Sequence, residues 1–302
     1  MRITEQHIRD YAQDGAVCLR GIFSSEWIER LCKAVDRIKM NPGPLRQRFR
    51  PTDPGEFFSE KFMWTFDPDF CAYVFESPAA EIAGRLMAAP RVNIFYDQIL
   101  VKEPETPAPS PWHQDLNYWP FLGKQVCSLW MPLDPVDRTS GTLEFVRGSH
   151  LWKERPFSRA LVFGNDEKQP QRTGGDDIPE TDDPEPLPDI DRHRGCYEIL
   201  SWDMEPGDAV VFTALTLHSA PGNASVRRRR ALSTRWTGDD VCYTRKRTEA
   251  TLLRDPGLKP GDPMTCDLFP VAWPKQDRPQ PLSAFTAAVS AGRIARQSPR
   301  AP

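Results

Sequence analysis

The sequence predicts a mainly β protein of the sandwich or jelly-roll kind, entered through a helical N-terminal part. Three observations predict it. Helical periodicity is confined to roughly the first 90 residues. From Arg91 onward the chain breaks into short apolar or alternating runs separated by Gly/Pro turns, and these do not alternate with helices as βαβ units require. The 31 prolines, clustered at 104–111 and 179–188, favour loops over a helical bundle.

Taken in order, residues 4–14 read as a short helix that stops before Gly15, and Ala16–Phe23 as a strand. Ser24 and Ser25 open a helix to about Met40, with Trp27, Ile28, Leu31, Val35 and Ile38 as its apolar stripe. Asn41 to Gly55 is rich in Pro and Arg and reads as irregular. Helices at 67–75 and 78–88 are separated by Ser77-Pro78, where proline suits a first turn. Strands are expected at Arg91–Lys102, Val126–Leu133, Gly141–Val146, Asp208–Leu215 and Arg229–Thr237. The apolar run Ala209–Leu217 should deliver His218 at its end. Residues 164–195 form a polar insert with too few apolar residues to fold alone, and read as a lid. A single domain is expected, with a helical part over 1–90, a β core over 91–240 and a C-terminal extension over 241–302.

The 302 residues carry 39% hydrophobic and 27% charged side chains and a net charge of −3, a balance that calls for neither nucleic acid nor an anionic membrane. The seven scattered cysteines, with no Cys-x-x-Cys, suggest neither a disulfide framework nor a thiolate zinc site, and fit a reducing compartment. There is no apolar signal region, no run of roughly 20 apolar residues to cross a bilayer, and no peroxisomal address in Arg300-Ala301-Pro302. The expectation is a cytoplasmic protein without nucleic-acid or membrane partners, monomeric or homodimeric, acting on a small molecule.

The chemistry centres on Trp112-His113-Gln114-Asp115-Leu116-Asn117-Tyr118-Trp119-Pro120-Phe121. In an extended segment residues i and i+2 point to one side, so His113 and Asp115 aim at one point. By itself His-x-Asp is a common surface pair. A third ligand raises it: His218 emerges from a strongly apolar run, where a polar ring needs a partner. Of the other histidines, His7 and His193 read as surface and His150 as a turn residue. Two histidines and a carboxylate leave one face of an octahedral metal open, which suits non-haem Fe(II), although zinc hydrolases use similar ligands. Downstream, Arg227-Arg228-Arg229-Arg230 runs into the apolar Ala231-Leu232, so strand alternation should turn about half of these arginines inward.

The run His113–Phe121 resembles the phytanoyl-CoA dioxygenase family, Fe(II)/2-oxoglutarate oxygenases with a double-stranded β-helix core. The block His218-Ser219-Ala220-Pro221-Gly222-Asn223, followed by Arg229, is similar to the family's second motif, and Ser140-Gly141-Thr142-Leu143 with Gly148-Ser149-His150 to the turn-strand-turn between them. The resemblance covers about residues 90–240. It implies Fe(II) on His113, Asp115 and His218, and Arg229 on the distal carboxylate of 2-oxoglutarate, which its bidentate fork suits. It further implies Trp130, Gln98 and Gln114 as cosubstrate contacts, and O2-driven oxidation of an unactivated C–H with succinate and CO2 as coproducts. One position departs from the pattern: many relatives carry Ser two residues after the distal histidine, and here Ala220 stands there. Relatives that halogenate lack the carboxylate, so Asp115 implies hydroxylation or a related oxidation. Tyr118, Trp119 and Phe121 are candidates for an apolar substrate wall. Arg46, Arg48, Arg50 and Arg235 are candidates for pairing with a substrate carboxylate or phosphonate. The rival readings are a zinc hydrolase on the same ligands and a non-catalytic β-helix that binds metal or ligand.

Overall fold

The N-terminal part folds as its periodicity requires. In the computed structural model, which describes residues 2–152, 186–244 and 252–275, α1 (Glu5–Asp14) starts at Thr4. There the Thr4 hydroxyl accepts from the His7 amide while the His7 ring accepts from the Thr4 amide. It ends at Gly15 in the left-handed region, φ 81°. After β1 (Ala16–Leu19), α2 (Ser25–Met40) buries Ile28, Leu31, Val35 and Ile38. Gln47–Phe49 (β2), in a stretch expected to be irregular, pairs with β3 (Phe57–Lys61). Then α3 (Pro68–Glu76) is capped by the Asp67 carboxylate, which accepts from the Asp69 and Phe70 amides, and α4 (Ala79–Met87) follows.

The remaining strands are β4 (Val92–Lys102), β5 (Ser110–His113), β6 (Phe121–Leu122), β7 (Val126–Pro132), β8 (Glu144–Val146), β9 (Ile199–Ser201), β10 (Ala209–Thr213), β11 (His218–Ala220), β12 (Arg229–Thr237), β13 (Cys242–Tyr243) and β14 (Val271–Trp273). They build two main sheets. The larger has the order β1-β10-β7-β12-β4-β3-β2, with β14 also on β4; the smaller has the order β5-β11-β8-β9. All these pairings are antiparallel.

Strand alternation gives the larger sheet two unlike faces. Leu129, Met131, Val211, Leu232, Trp236, Ile99 and Val101 pack outward against Leu31, Val35, Phe70, Ile82 and Leu86 of the helices. On the other face Trp130, Val210, Phe212 and Ala231 meet Phe145 and Ala220 of the smaller sheet in one cluster. The sheets therefore face each other across a core, with the helices on the outside of one. The fold is nonetheless mixed α/β rather than mainly β, since four helices form a full layer. No closed barrel is seen among the described residues.

One strand expectation fails in a way that matters. The run Ala209–Leu217 is not continuous: β10 ends at Thr213, the Thr216 amide turns back to the Thr213 carbonyl, and His218 opens β11 in the other sheet. Both pieces are buried, so apolar content alone could not locate the crossing. The polar insert 164–195 falls largely outside the described residues. Its end docks on the smaller sheet, where Ile190 is buried with Trp112, Val146 and Leu217, and Trp112 Nε1 donates to Asp191 at 2.9 Å. Among the described residues no helix is long and apolar enough to cross a membrane.

Candidate active site

The neighbouring strands β5 and β11 place His113 opposite His218, with ring centroids 4.2 Å apart. Asp115 opens a short 3-10 turn (Asp115–Tyr118) held by the Leu116 amide on the Ala214 carbonyl at 3.0 Å. Its Oδ1 lies 3.5 Å from His113 Nε2 and 3.7 Å from His218 Nε2. One possible ligand atom from each of the three lies within 4.8 Å of the others.

Each histidine ring is fixed from behind. His113 Nδ1 is 2.7 Å from the Pro111 carbonyl and His218 Nδ1 is 2.9 Å from the Thr216 carbonyl. A carbonyl only accepts, so each Nδ1 carries the proton and each Nε2 presents its lone pair to the centre. Ser128 Oγ donates to Asp115 Oδ2 at 2.8 Å, leaving Oδ1 for the centre. Burial, with the His113 charge adding to it, pushes the His218 pKa down to about 3, so this ring is neutral at physiological pH. For Asp115 burial alone would raise the pKa. Its basic surroundings, Arg235 among them, outweigh it and hold the carboxyl below its usual range. His218 and Asp115 are thus in the protonation states a divalent cation needs.

Facing this centre, the inner side of the larger sheet carries polar groups in register. Across β7, β12 and β4, Ser128 pairs with Arg235 and Arg235 with Tyr96; Trp130 pairs with Ser233 and Ser233 with Gln98; and Arg229 pairs with Lys102. From β3, Lys61 lies opposite Gln98. Arg229 is 2% exposed, its guanidinium 5.8 Å from the Trp130 ring, and Nη1 donates to the Leu100 carbonyl at 3.1 Å. Burial pushes its pKa down to about 10, which still leaves it charged at neutral pH. Arg228 and Arg230 point elsewhere, to Glu103 and Asp134. Gly141, at φ 90°, lets the turn pass over this end: a Cβ there would stand 2.9 Å from the Pro221 carbonyl and 3.4 Å from Arg229 Nη2.

Among the described residues, buried polar atoms on this face without a hydrogen-bond partner include Arg229 Nε, Trp130 Nε1, Ser233 Oγ, Ser59 Oγ, Arg235 Nε and Thr237 Oγ1. Buried polar atoms are normally satisfied. A group on one lining points to a polar ligand.

The other sequence candidates are placed as follows. Gln98 is buried on the inner face. Gln114 is buried, and its amide donates to the Leu215 carbonyl at 2.5 Å. The Tyr118 ring is 5.9 Å from that of His113. Trp119 and Phe121 are not brought to an open wall: Trp119 Nε1 donates to Tyr96 Oη at 3.1 Å, and Phe121 packs edge-on against Phe95 at 4.8 Å. Arg46 lies over the Phe58 ring and beside Glu56, Arg48 pairs with Glu56, and Arg50 with Asp53. Of the four arginines considered for a substrate anion, only Arg235 joins the site. Sequence reasoning missed Ser128, Lys61 and Lys102. A hydroxyl inside the apolar Val126–Leu133 was the available signal for Ser128. The alternation Phe57-Phe58-Ser59-Glu60-Lys61 was the one for Lys61.

The family model for phytanoyl-CoA dioxygenase (PhyH) matches residues 11–231 of this sequence, an interval that contains every one of these inner-face groups except Ser233 and Arg235. The chain belongs to the phytanoyl-CoA dioxygenase family. Within it, a probable phytanoyl-CoA dioxygenase of Caenorhabditis elegans is 25% identical over 182 residues, covering 58% of this chain and 53% of that protein. The chain thus spans about half the length of the curated relatives it first matches. Among solved structures, the α-ketoglutarate-dependent carbocyclase SnoK from nogalamycin biosynthesis superposes with a TM-score of 0.70 at 22% identity, over 89% of this chain and 96% of that one. The epimerase SnoN, solved in complex with Fe3+, α-ketoglutarate and nogalamycin RO, gives 0.69 at 19%, over 89% and 98%. These structural likenesses show a shared fold. The expectation of a cytoplasmic protein is overturned: family members from Bos taurus, Mus musculus and Rattus norvegicus that match this chain are peroxisomal enzymes. An unremarkable terminus and a near-neutral charge carried no information on compartment.

Proposed function

We propose that this protein is an Fe(II)/2-oxoglutarate-dependent dioxygenase that oxidises an unactivated C–H of a small organic metabolite, with succinate and CO2 as coproducts. We read its two facing sheets as a double-stranded β-helix core within one domain. One observation carries the proposal. His113 Nε2, His218 Nε2 and Asp115 Oδ1 converge between the two sheets, and the inner face of the larger sheet carries the buried Arg229, whose Nε has no hydrogen-bond partner among the described residues.

The residues fit the groups this reading requires. His113, His218 and Asp115 would hold a divalent metal through two imidazoles and one carboxylate, a donor set suited to Fe(II). Bound Fe(II) supplies the O2 activation that couples decarboxylation of 2-oxoglutarate to substrate oxidation. The protein fixes positions and charge. The Pro111 and Thr216 carbonyls hold the imidazoles in one tautomer, and Ser128 holds Asp115 in one rotamer. Arg229 holds the distal carboxylate of 2-oxoglutarate, with Trp130 Nε1 and Ser233 Oγ as further donors along its length. Ala220 cannot supply the hydroxyl usual in relatives. Lys102, opposite Arg229 in register and donating to the Pro221 carbonyl at 2.7 Å, offers a further N–H donor there; burial, then the Arg229 charge, pushes its pKa well down, so it acts as a donor and not as a fixed charge. Phe145 and Phe212 pack against the His218 ring and form one buried apolar cluster with Trp130, which keeps water from these groups.

The test needs no substrate. Apo-protein loaded anaerobically with Fe(II) and then given 2-oxoglutarate should develop a visible metal-to-ligand charge-transfer band. Folded, iron-loaded protein that shows no band would refute the proposal.

A further inference from the structure

Between Thr213 and His218 the chain leaves one sheet for the other, and a carbonyl from the N-terminal part bridges both ends of that turn. The Gly15 carbonyl accepts from the Thr213 amide at 2.9 Å and from the Thr216 hydroxyl at 2.8 Å. A carbonyl only accepts, so the single Thr216 hydroxyl proton is committed there, and Thr213 Oγ1 donates to Thr216 Oγ1 at 2.9 Å. The Thr216 carbonyl in turn accepts from His218 Nδ1 at 2.9 Å. Buried Thr216 thus joins Gly15, through its hydroxyl, to the distal histidine, through its carbonyl. A second clasp runs alongside. The Asp14 carbonyl accepts from the Gly148 amide at 2.8 Å, the Asp14 carboxylate pairs with Arg147 at 2.7 Å, and Ser149 Oγ accepts from the Leu217 amide at 2.9 Å. On another side the turn is not packed: Ala214 and Leu215, with Val126, Leu151 and Trp152, line a cavity of about 470 Å³.

The approach requires glycine at the helix end. Gly15 stands at φ 81°, and a Cβ there would lie 2.5 Å from Thr216 Oγ1 and 2.4 Å from His150 Nδ1. We propose that Thr216, held by the Gly15 carbonyl, is a positioning residue of the metal centre, so that the junction of α1 and β1 sets the orientation of His218. The inference rests on the metal reading of the proposed function. The partner behind a ligating imidazole fixes its tautomer and ring orientation, and can do so only as firmly as it is itself held. The two histidines differ in how that is achieved. His113 leans on the carbonyl of Pro111, whose ring restricts its own backbone. His218 leans on Thr216, in a turn beside a cavity, and the hydroxyl bond to Gly15 holds that residue from its other end. Without the hydroxyl the turn keeps its backbone bonds but gains freedom at the carbonyl that supports the ring.

The experiment compares the whole protein with Thr216→Val, which keeps the shape and the carbonyl but loses the hydroxyl, and with Thr216→Ser, which keeps the hydroxyl. Fe(II) affinity is measured anaerobically by competition with a chromophoric chelator. The His218 tautomer is read by nitrogen-15 NMR of the metal-free protein. Thr216→Val should weaken Fe(II) binding about tenfold and let the His218 ring populate the Nε2-protonated form, while Thr216→Ser stays within about threefold of wild type. Leu31→Ala, in the core of α2 and away from this turn, should lower the unfolding midpoint and leave Fe(II) affinity unchanged, which separates positioning from stability. The idea is overturned if Thr216→Val binds Fe(II) as tightly as wild type and keeps a single tautomer. It is equally overturned if Thr216→Ser loses as much affinity as Thr216→Val, or if Leu31→Ala loses as much as either. Wild-type protein that takes up no Fe(II) refutes the metal reading instead. The tautomer in Thr216→Val then decides alone, and a single Nδ1-protonated ring there overturns the positioning role.

Discussion

The two faces of strand β12 are built from the same nine residues and follow opposite rules. Outward, Arg230 is paired with Asp134, Leu232 and Trp236 are buried against the helices, and Trp236 Nε1 donates to Thr234 Oγ1. Inward, Arg229, Ser233, Arg235 and Thr237 each hold a buried polar atom with no partner. Alternation with period 2 lets one strand serve both purposes without compromise. The outer face is finished by folding. The inner face is left incomplete, and its unpaired donors are those a bound dianion would satisfy. Desolvated polar groups without partners are costly, so a cluster of them on one face marks where stability has been given up for binding.

That contrast can be broken at either face. The largest effect is expected at the centre itself: His218→Ala removes one of three ligands and should abolish succinate formation, by at least about 10³-fold, together with the charge-transfer band. Turnover persisting above a tenth of wild type would show that the ligand set is wrong. Next, Arg229→Ala should raise the 2-oxoglutarate concentration needed for half-maximal band intensity by about 10- to 100-fold, the loss of one or two charge-assisted hydrogen bonds. The control on the opposite face is Arg230→Ala, which should leave that concentration alone; if the two variants behave alike, the assignment of faces fails. On the outer face, Leu232→Ala should cost about 2–5 kcal/mol in chemical unfolding, while the protein that remains folded binds 2-oxoglutarate as before.

The smallest effect concerns Asp97, which faces outward and accepts from the Trp64 amide at 2.9 Å. Burial raises its pKa to about 8, from an ordinary carboxyl value of 3.8 in the unfolded chain. The folded state therefore favours the protonated form. This group's contribution to stability is complete below about pH 4 and is lost as pH rises towards 8. Asp97→Asn keeps an acceptor for Trp64 and removes the titration, so unfolding midpoints between pH 5 and 8 should flatten relative to wild type. An unchanged pH slope would mean that another group sets it.

The N-terminal helices, the long strands β4, β7 and β12, and the convergence of His113, Asp115 and His218 were all legible because each rests on a local rule. A buried stripe at helical spacing, alternation along a strand and a motif with fixed offsets are all written in consecutive residues. The inward turn of roughly every second arginine in 227–230 was legible for the same reason. What failed was of a different kind. Trp119 and Phe121 look like pocket walls beside the motif, yet the aromatic cluster of Phe95, Tyr96 and Phe269 absorbs them. Arg46, Arg48 and Arg50 look like anion ligands, yet Glu56 and Asp53 claim the last two and Phe58 stacks on the first.

The sequence by itself determined which chemistry is possible. It supplied two imidazoles, a carboxylate two residues after the first of them, and an arginine eleven residues beyond the second histidine. The tertiary structure decided which charges remain free to use it. A cation is a ligand only if no nearby carboxylate takes it first, and that competition is settled by strands far apart in the chain. The pairing of β3 with β4 brings Lys61 alongside Gln98, and that of β12 with β7 brings Arg235 opposite Ser128. The break at Thr213 that carries His218 into the second sheet was likewise invisible in composition, because both sides of the crossing are equally apolar. Local pattern is encoded in neighbours; the ownership of a buried charge is decided only when distant neighbours arrive.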